Sequence, residues 1–295
     1  MNIGNTDIVD TFAEAFSMVG TRIIITAETD AWAMAAARAM TGFATSVIGC
    51  KCEAGIEKTL AADETPDRRP GVSVLLFTMD KKSIGTRLVE RIGQCVMTCP
   101  TTACFNGLSA PDSVVVGGQL RYFGDGFQMS KVINSNRLWR IPVMDGEFLV
   151  DESFSITTAV GGGNLLLIGH DRAGTLAAAE QTTAAMRIID DIILPFPDGV
   201  VRSGSKVGSK YKSLIASTND AYCPTLRAVS KQSALPESAQ CVLEIVIDGL
   251  TEDAVKQAMQ TGMKAAAAAG ILQISAGNYG GSLGQYKINL KDLVN

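Results

Sequence analysis

The sequence predicts an α+β protein of two lobes, each built on split β-α-β units. Three observations carry that prediction. Apolar, β-branched runs of strand length alternate with alanine-rich stretches of helical period. The same alternation begins again after residue 160. The 295 residues suffice for two domains of about 150 residues each.

In the first half, Arg22–Ala27 (RIIITA) is a β-branched run and reads as a strand. Thr29 and Asp30 supply a helix start, and the alanine-rich AWAMAAARAM carries the helix to Gly42. Thr45–Gly49 (TSVIG) reads as a second strand, and the turn-rich ADETPDRRPG leads to a third at Val72–Phe77. Between Lys81 and Thr98, Ile84, Leu88, Ile92 and Val96 recur every four residues, the spacing of one helix face.

In the second half, Asn164–Gly169 reads as a strand and Ala173–Ile189 as a long helix. Ile192–Leu194 and Tyr211–Ser217 are expected to be short strands, and Val242–Ile247 a strong one. A helix follows from near Thr251 to Gly270, its first turn favoured by Glu252 and Asp253, with a returning strand at Ile271–Ser275. Both halves thus read as β-α-β units with extra strands, the ferredoxin-like pattern. The boundary is expected near Ile141–Gly146, giving lobes 1–145 and 146–295. One continuous α/β sandwich is the alternative.

Composition narrows the function classes. With 46% apolar and 19% charged residues the chain builds a sizeable core, and a net charge of −4 argues against general nucleic-acid binding. The amino-terminal residues lack the basic and apolar regions of a secretory signal, and no apolar run approaches the ~20 residues of a membrane span. A cytoplasmic location is therefore expected. The seven cysteines read as reduced structural thiols. Cys50, Cys52, Cys95 and Cys99 could together hold zinc, but neither pair has C-x2-C spacing. The single histidine, His170, has no evident nucleophile partner.

Four segments could carry chemistry. Val201–Lys212 (VRSGSKVGSKYK) sets Arg202, Lys206, Lys210 and Lys212 among glycines and serines, a pattern suited to carboxylates or phosphates and equally to a solvated loop. Its glycine spacing is not that of a Walker A loop. Gly161-Gly162-Gly163-Asn164 precedes a strand, the wrong order for a dinucleotide fingerprint, and reads as a turn. Strand alternation puts Val242, Glu244, Val246 and Asp248 on one face. A carboxyl among such neighbours is raised by desolvation and can donate a proton near neutrality, although most strand glutamates face solvent. Asp10–Phe16, with Thr11 and Glu14, and Gly93–Thr102, with Gln94 and Thr101, read either as pocket walls or as ordinary caps and turns. No metal-binding or nucleophile-triad motif is visible.

Nine strings in order along the chain resemble the formylmethanofuran–tetrahydromethanopterin formyltransferase family. They are DTFAEAF, TGFATSVI, CEAGIE, ETPD-x-RPG, ERIGQCVMTCPTT, FGDG, PFP-x-GVVRSGSKVGSKYK, EIVIDG and SAGNYGG. The resemblance implies a two-lobed homotetramer with no prosthetic group. It implies direct formyl transfer between the pterin N5 and the methanofuran amine in a ternary complex, through a tetrahedral intermediate. It puts Glu244 at the oxyanion and offers Asp10, Thr11, Glu14, Gln94, Thr101, Thr102, Asn164, Arg202, Ser203, Ser205, Lys206 and Lys210 as substrate-binding residues. The carboxylates of methanofuran-type carriers give the basic loop a natural ligand.

The wording of that loop is similar to the version in one-carbon-oxidising bacteria, which works in a formyltransferase/hydrolase complex with partner subunits. The chain departs from the family at Arg68 and Asp198, where glycine is usual, and at Ser282 and Gln285, where lysine is usual. A carrier-binding or scaffolding paralogue without turnover is the alternative function.

Overall fold

The computed structural model describes residues 1–133 and 136–294, so Asn295, the last residue of the expected second lobe, lies outside it. The chain packs into two compact units, Met18–Ala159 and Met1–Ser17 with Val160–Asn295. This division differs from a single cut near residue 145. The first residues pair with the last: Thr6–Ile8 lies parallel to Gln273–Ser275, and Tyr286–Asn289 runs antiparallel to Phe12–Ala15. Pairings about 270 residues apart in sequence leave no local signature.

In the unit Met18–Ala159, strand Gly71–Thr78 pairs antiparallel with both Glu53–Leu60 and the Val19–Thr26 part of Phe12–Thr26. The latter also pairs antiparallel with Ala103–Asn106. Two parallel strands therefore flank an antiparallel one, joined by helix Asp30–Thr41 in one case and by Lys81–Arg91 in the other. This is the expected split β-α-β order. A further antiparallel set, Gly146–Asp151, Asn136–Val143 and Met129–Ile133, extends the sheet beyond Ala103–Asn106.

The core includes Ile23, Ile25, Val72, Val74, Leu76, Ile84 and Leu88. Ala33, Ala36 and Ala37, fully buried, let the first helix approach its sheet closely. Thr29 caps that helix through the Trp32 amide, and Asp80 caps the second through Ser83.

Two elements differ from expectation here. Thr45–Gly49 is not a strand; Val47–Cys50 forms a short helical turn, and the strand begins at Glu53. Ser46 accepts the Ile48 N–H and the Glu53 carboxylate accepts that of Val47, so local caps outweigh the β preference of a few residues. The helix expected over Lys81–Thr98 ends at Arg91 and continues as a π turn, Ile92–Val96.

In the other unit, Gly163–Gly169 of strand Ser153–Gly169 lies between the parallel strands Cys241–Gly249 and Gln273–Ser275, antiparallel to each. Helix Glu252–Ala268, capped by Thr251, joins those two strands. Ile192–Ile193 adds an outer strand after helix Arg172–Met186. The two helices pack closely because residue 262 is glycine: a Cβ there would stand 2.3 Å from Met186 Cε.

The Gly161–Gly163 turn is overturned. These residues lie within strand Ser153–Gly169, as an irregularity between Val160 and Gly163, with Gly162 at φ +87°. Of Tyr211–Ser217 only Ala216 and Ser217 are strand: Ala216–Thr218 pairs with Ser205–Val207 in a small hairpin, and residues 211–215 lie in the connection between them. Glycines and polar residues make that segment a turn.

Candidate functional site

Strand Cys241–Gly249 sends Leu243, Ile245 and Ile247 into the core, and the half-buried Glu244 occupies the alternate face with Val242 and Val246. Leu166 is its neighbour on one side. On the other side Glu244 and Val201 form an antiparallel bridge, each N–H donating to the other's C=O at 2.8 Å. Burial pushes the Glu244 carboxyl up to about 7.

A loop after strand Gln273–Ser275 carries Tyr279, whose phenol feels the charge of this carboxyl. Asn164 Oδ1 accepts the Gly277 N–H, and Asn164 Nδ2 donates to the Gly277 C=O at 3.1 Å. Asn278 donates to the Thr11 hydroxyl at 3.1 Å. Beyond it, the Glu14 carboxylate accepts the N–H groups of Tyr279 and Gly281 on Oε2 at 2.7 and 2.8 Å, and of Leu283 and Gly284 on Oε1 at 2.6 Å each. Burial alone would raise Glu14; the four amides outweigh it and hold the carboxyl at about 2.

The Tyr279 ring lies 6.0 Å from that of Phe16, tilted by 50°. Its phenol is pushed up by burial and by the charges of Glu244 and Glu14, against a hydrogen bond with Ser205. The Tyr279 phenol thus lies within electrostatic reach of the Glu244 carboxyl and of the start of the basic loop.

That loop borders a groove of about 690 Å³, with Lys206, Lys210 and Tyr211 on one wall and Leu226 and Val229 on another. Lys206 is ion-paired with Asp220, which also accepts the Ser230 hydroxyl. Arg202, Ser203 and Lys210 are exposed. The groove therefore offers cationic and apolar surface together, suited to an elongated anionic ligand.

The other expected site residues distribute as follows. Asp10 is exposed, 3.8 Å from Lys291. Thr11, Glu14 and Asn164 spend their polar atoms on the protein's own loop, as described above. Gln94, Thr101 and Thr102 belong to the unit Met18–Ala159. There Gln94 lines a largely apolar groove of about 760 Å³ with Met97, Phe123 and Asp145. Thr101 has φ +66°, fixed by Asp145 accepting its N–H at 2.6 Å and Arg69 donating to its C=O. Buried Thr102 donates to the Val96 C=O at 2.6 Å.

Tyr279 escaped the candidate residues, though the string SAGNYGG carries a signal: a phenol bracketed by glycines and asparagine marks a loop of defined shape.

The four departures have local roles. Arg68 and Asp198 stand at φ +60° and +50°, the left-handed region where glycine is the ordinary choice. The Asp198 carboxylate accepts from Arg187 at 2.7 Å, so its charge is paired. Ser282 donates to the Tyr279 C=O at 3.0 Å, and Gln285 accepts the Ser17 N–H at 2.8 Å. All seven cysteines are free thiols, and among the described residues no three His, Cys, Asp or Glu side chains gather as a metal site. Among the same residues no helix is long and apolar enough to cross a membrane.

Two family models cover the chain: that of formylmethanofuran–tetrahydromethanopterin formyltransferase matches residues 1–143, and that of its proximal lobe matches residues 146–293. A protein of this name from Methylobacillus flagellatus is 55% identical, with both chains covered in full. One component of the formyltransferase/hydrolase complex of Methylorubrum extorquens is 52% identical, over 97% of this chain and 95% of that one. In the crystal structure of that complex with methylofuran, one chain superposes with a TM-score of 0.97 at 51% identity, covering 100% of this chain and 99% of that one. The enzyme from Methanosarcina barkeri superposes with a TM-score of 0.94 at 44% identity, covering 99% and 100%.

Proposed function

The chain belongs to the formylmethanofuran–tetrahydromethanopterin formyltransferase family, and on that premise we propose the following chemistry. It is a formyltransferase that moves a formyl group between tetrahydromethanopterin and a methanofuran-type carrier. The amine of the acceptor attacks the formyl carbon of the donor, giving a tetrahedral oxyanion. The bond from that carbon to the donor nitrogen then breaks, and the donor leaves as an amine carrying a proton. Such a transfer needs both amines held in near-attack geometry and the oxyanion stabilised or protonated.

Glu244 is the group that serves the oxyanion. The observation that supports this role is a carboxyl pushed up to about 7 by burial, beside the Tyr279 phenol and the basic loop. A neutral acid at physiological pH can donate a hydrogen bond or a proton as charge develops on oxygen. Arg202 and Lys210 bind carboxylates of the furan carrier, and Gln94, Thr101 and Thr102 are further substrate-binding residues, borne by the unit Met18–Ala159. The protein acts in the cytoplasm as a homotetramer without a prosthetic group, and the hydrolase subunits of a complex like that of M. extorquens are its partners. What supports the last point is 52% identity to a component of that complex.

The test is transfer by the purified protein from formylated pterin to the furan acceptor. Glu244→Gln should lower turnover at least ~10²-fold with an unchanged circular dichroism spectrum. Wild-type turnover in that variant removes Glu244 from the mechanism. No transfer by the wild-type protein at any carrier concentration overturns the activity itself.

A further inference from the structure

We propose that Glu14 is a positioning residue and not a substrate ligand: its carboxylate holds the backbone of Tyr279–Gly284 and so keeps the Tyr279 side chain in place within electrostatic reach of Glu244. The proposal rests on the reading of Glu244 given above. It is argued from how completely Glu14 is used. A carboxylate has about four lone-pair sites, and each oxygen of Glu14 accepts two backbone N–H groups at 2.6–2.8 Å. The residue is 1% exposed. No acceptor site is left for a carrier, and an anion there would repel the carboxylates of one.

The loop is shaped to wrap this anion. Gly280 and Gly281 have φ of +75° and +71°, which turns successive amides inward as in other anion nests. Gly284 comes so close that a Cβ would stand 2.5 Å from the Ala15 C=O. Ser282 ties the Tyr279 C=O from outside, and Asn164 clamps Gly277 at the loop's start. Tyr279 is thus fixed at both of its backbone polar groups. Its ring packs against Phe16, with centroids 6.0 Å apart.

Two consequences separate this role from ligand binding. If Tyr279 shields Glu244, freeing the loop admits water, and the carboxyl falls towards its ordinary range. The loss of activity then lies in kcat and in the pH profile rather than in the KM of one carrier.

The experiment compares Glu14→Gln and Glu14→Asp with the wild-type protein over pH 5–9, measuring kcat and the KM of both carriers. In Glu14→Gln an NH2 group faces amide donors, so kcat should fall ~10-fold or more, the scale of a misplaced group. Both KM values should stay within about twofold, and the decline of rate above pH ~7 should move to lower pH. Glu14→Asp, which keeps the charge, should recover part of kcat. A raised KM for one carrier with kcat and pH profile unchanged would overturn the proposal, as would no change at all.

If circular dichroism shows Glu14→Gln unfolded, Glu14→Asp decides, because its shorter side chain cannot reach all four amides: a shift of the same pH limb with both KM values unchanged supports the proposal, and an unmoved limb sinks it. A limb that persists in Glu244→Gln removes the underlying role of Glu244 instead, so the two failures are distinct.

Discussion

Val201 and Glu244 exchange both backbone hydrogen bonds, at 2.8 Å in each direction. The basic loop therefore starts at the residue that faces the candidate acid, and its position is set by a sheet rather than by a flexible tether. The candidate acid and the start of the basic loop are thus held by one local pairing.

The raised Glu244 carboxyl makes the protein less stable as it ionises. Its folded pKa of about 7 lies above the ordinary 4.5, so the folded state holds the extra proton between those values. Stability should be full below pH ~4.5 and decline as pH rises through 7. Glu244→Gln should consequently be more stable than wild type at pH 8, by up to about 3 kcal/mol, and equal at pH 4. Urea titrations at the two pH values measure this difference.

Glu14 has the opposite sign. Held at about 2, it contributes stability that is present above pH ~4.5 and is lost as pH falls towards 2. Glu14→Gln should lower stability at pH 7 and remove that acid-dependent loss. Thermal melts between pH 2 and 6 should show a flatter Tm profile for the variant.

The loop cations divide by their partners. Arg202→Ala and Lys210→Ala should raise the KM of the polyanionic carrier ~10-fold each, with kcat within about twofold and the effect fading at high salt. Lys206→Ala should act differently, because its ammonium is engaged with Asp220. It should loosen the hairpin, shown by faster proteolysis between residues 205 and 218. Steady-state kinetics against ionic strength distinguish the two classes.

Arg68→Gly should stabilise the protein by about 1 kcal/mol, because a left-handed backbone is strained for every residue with a Cβ. Asp198→Gly relieves the same strain but removes the exposed pair with Arg187, so its net gain should be smaller. Neither should alter the KM of either carrier. Denaturation midpoints and kinetics test both statements.

Much of this architecture was legible from local pattern. The β-branched run at Arg22–Ala27, the four-residue spacing of Ile84, Leu88 and Ile92, and the apolar alternation around Glu244 each specify an element, because side-chain direction repeats with fixed period in helix and strand. Where few residues were at stake, caps and turn chemistry prevailed. Ser46 and Glu53 turned an expected strand into a helical turn, and the glycines at 161–163 proved to be a strand irregularity.

The sequence by itself determined the α+β elements, the family through its ordered strings, and Glu244 as a carboxyl among apolar neighbours. Only the tertiary structure decided what surrounds that carboxyl. Tyr279 is 35 residues further along the chain than Glu244, and Glu14 is 265 residues before Tyr279. Their meeting depends on Thr6–Ile8 and Phe12–Ala15 pairing with strands near the carboxyl end. Pattern within a segment fixes which way a side chain points; which group it meets depends on pairings between distant segments, and those are settled by packing.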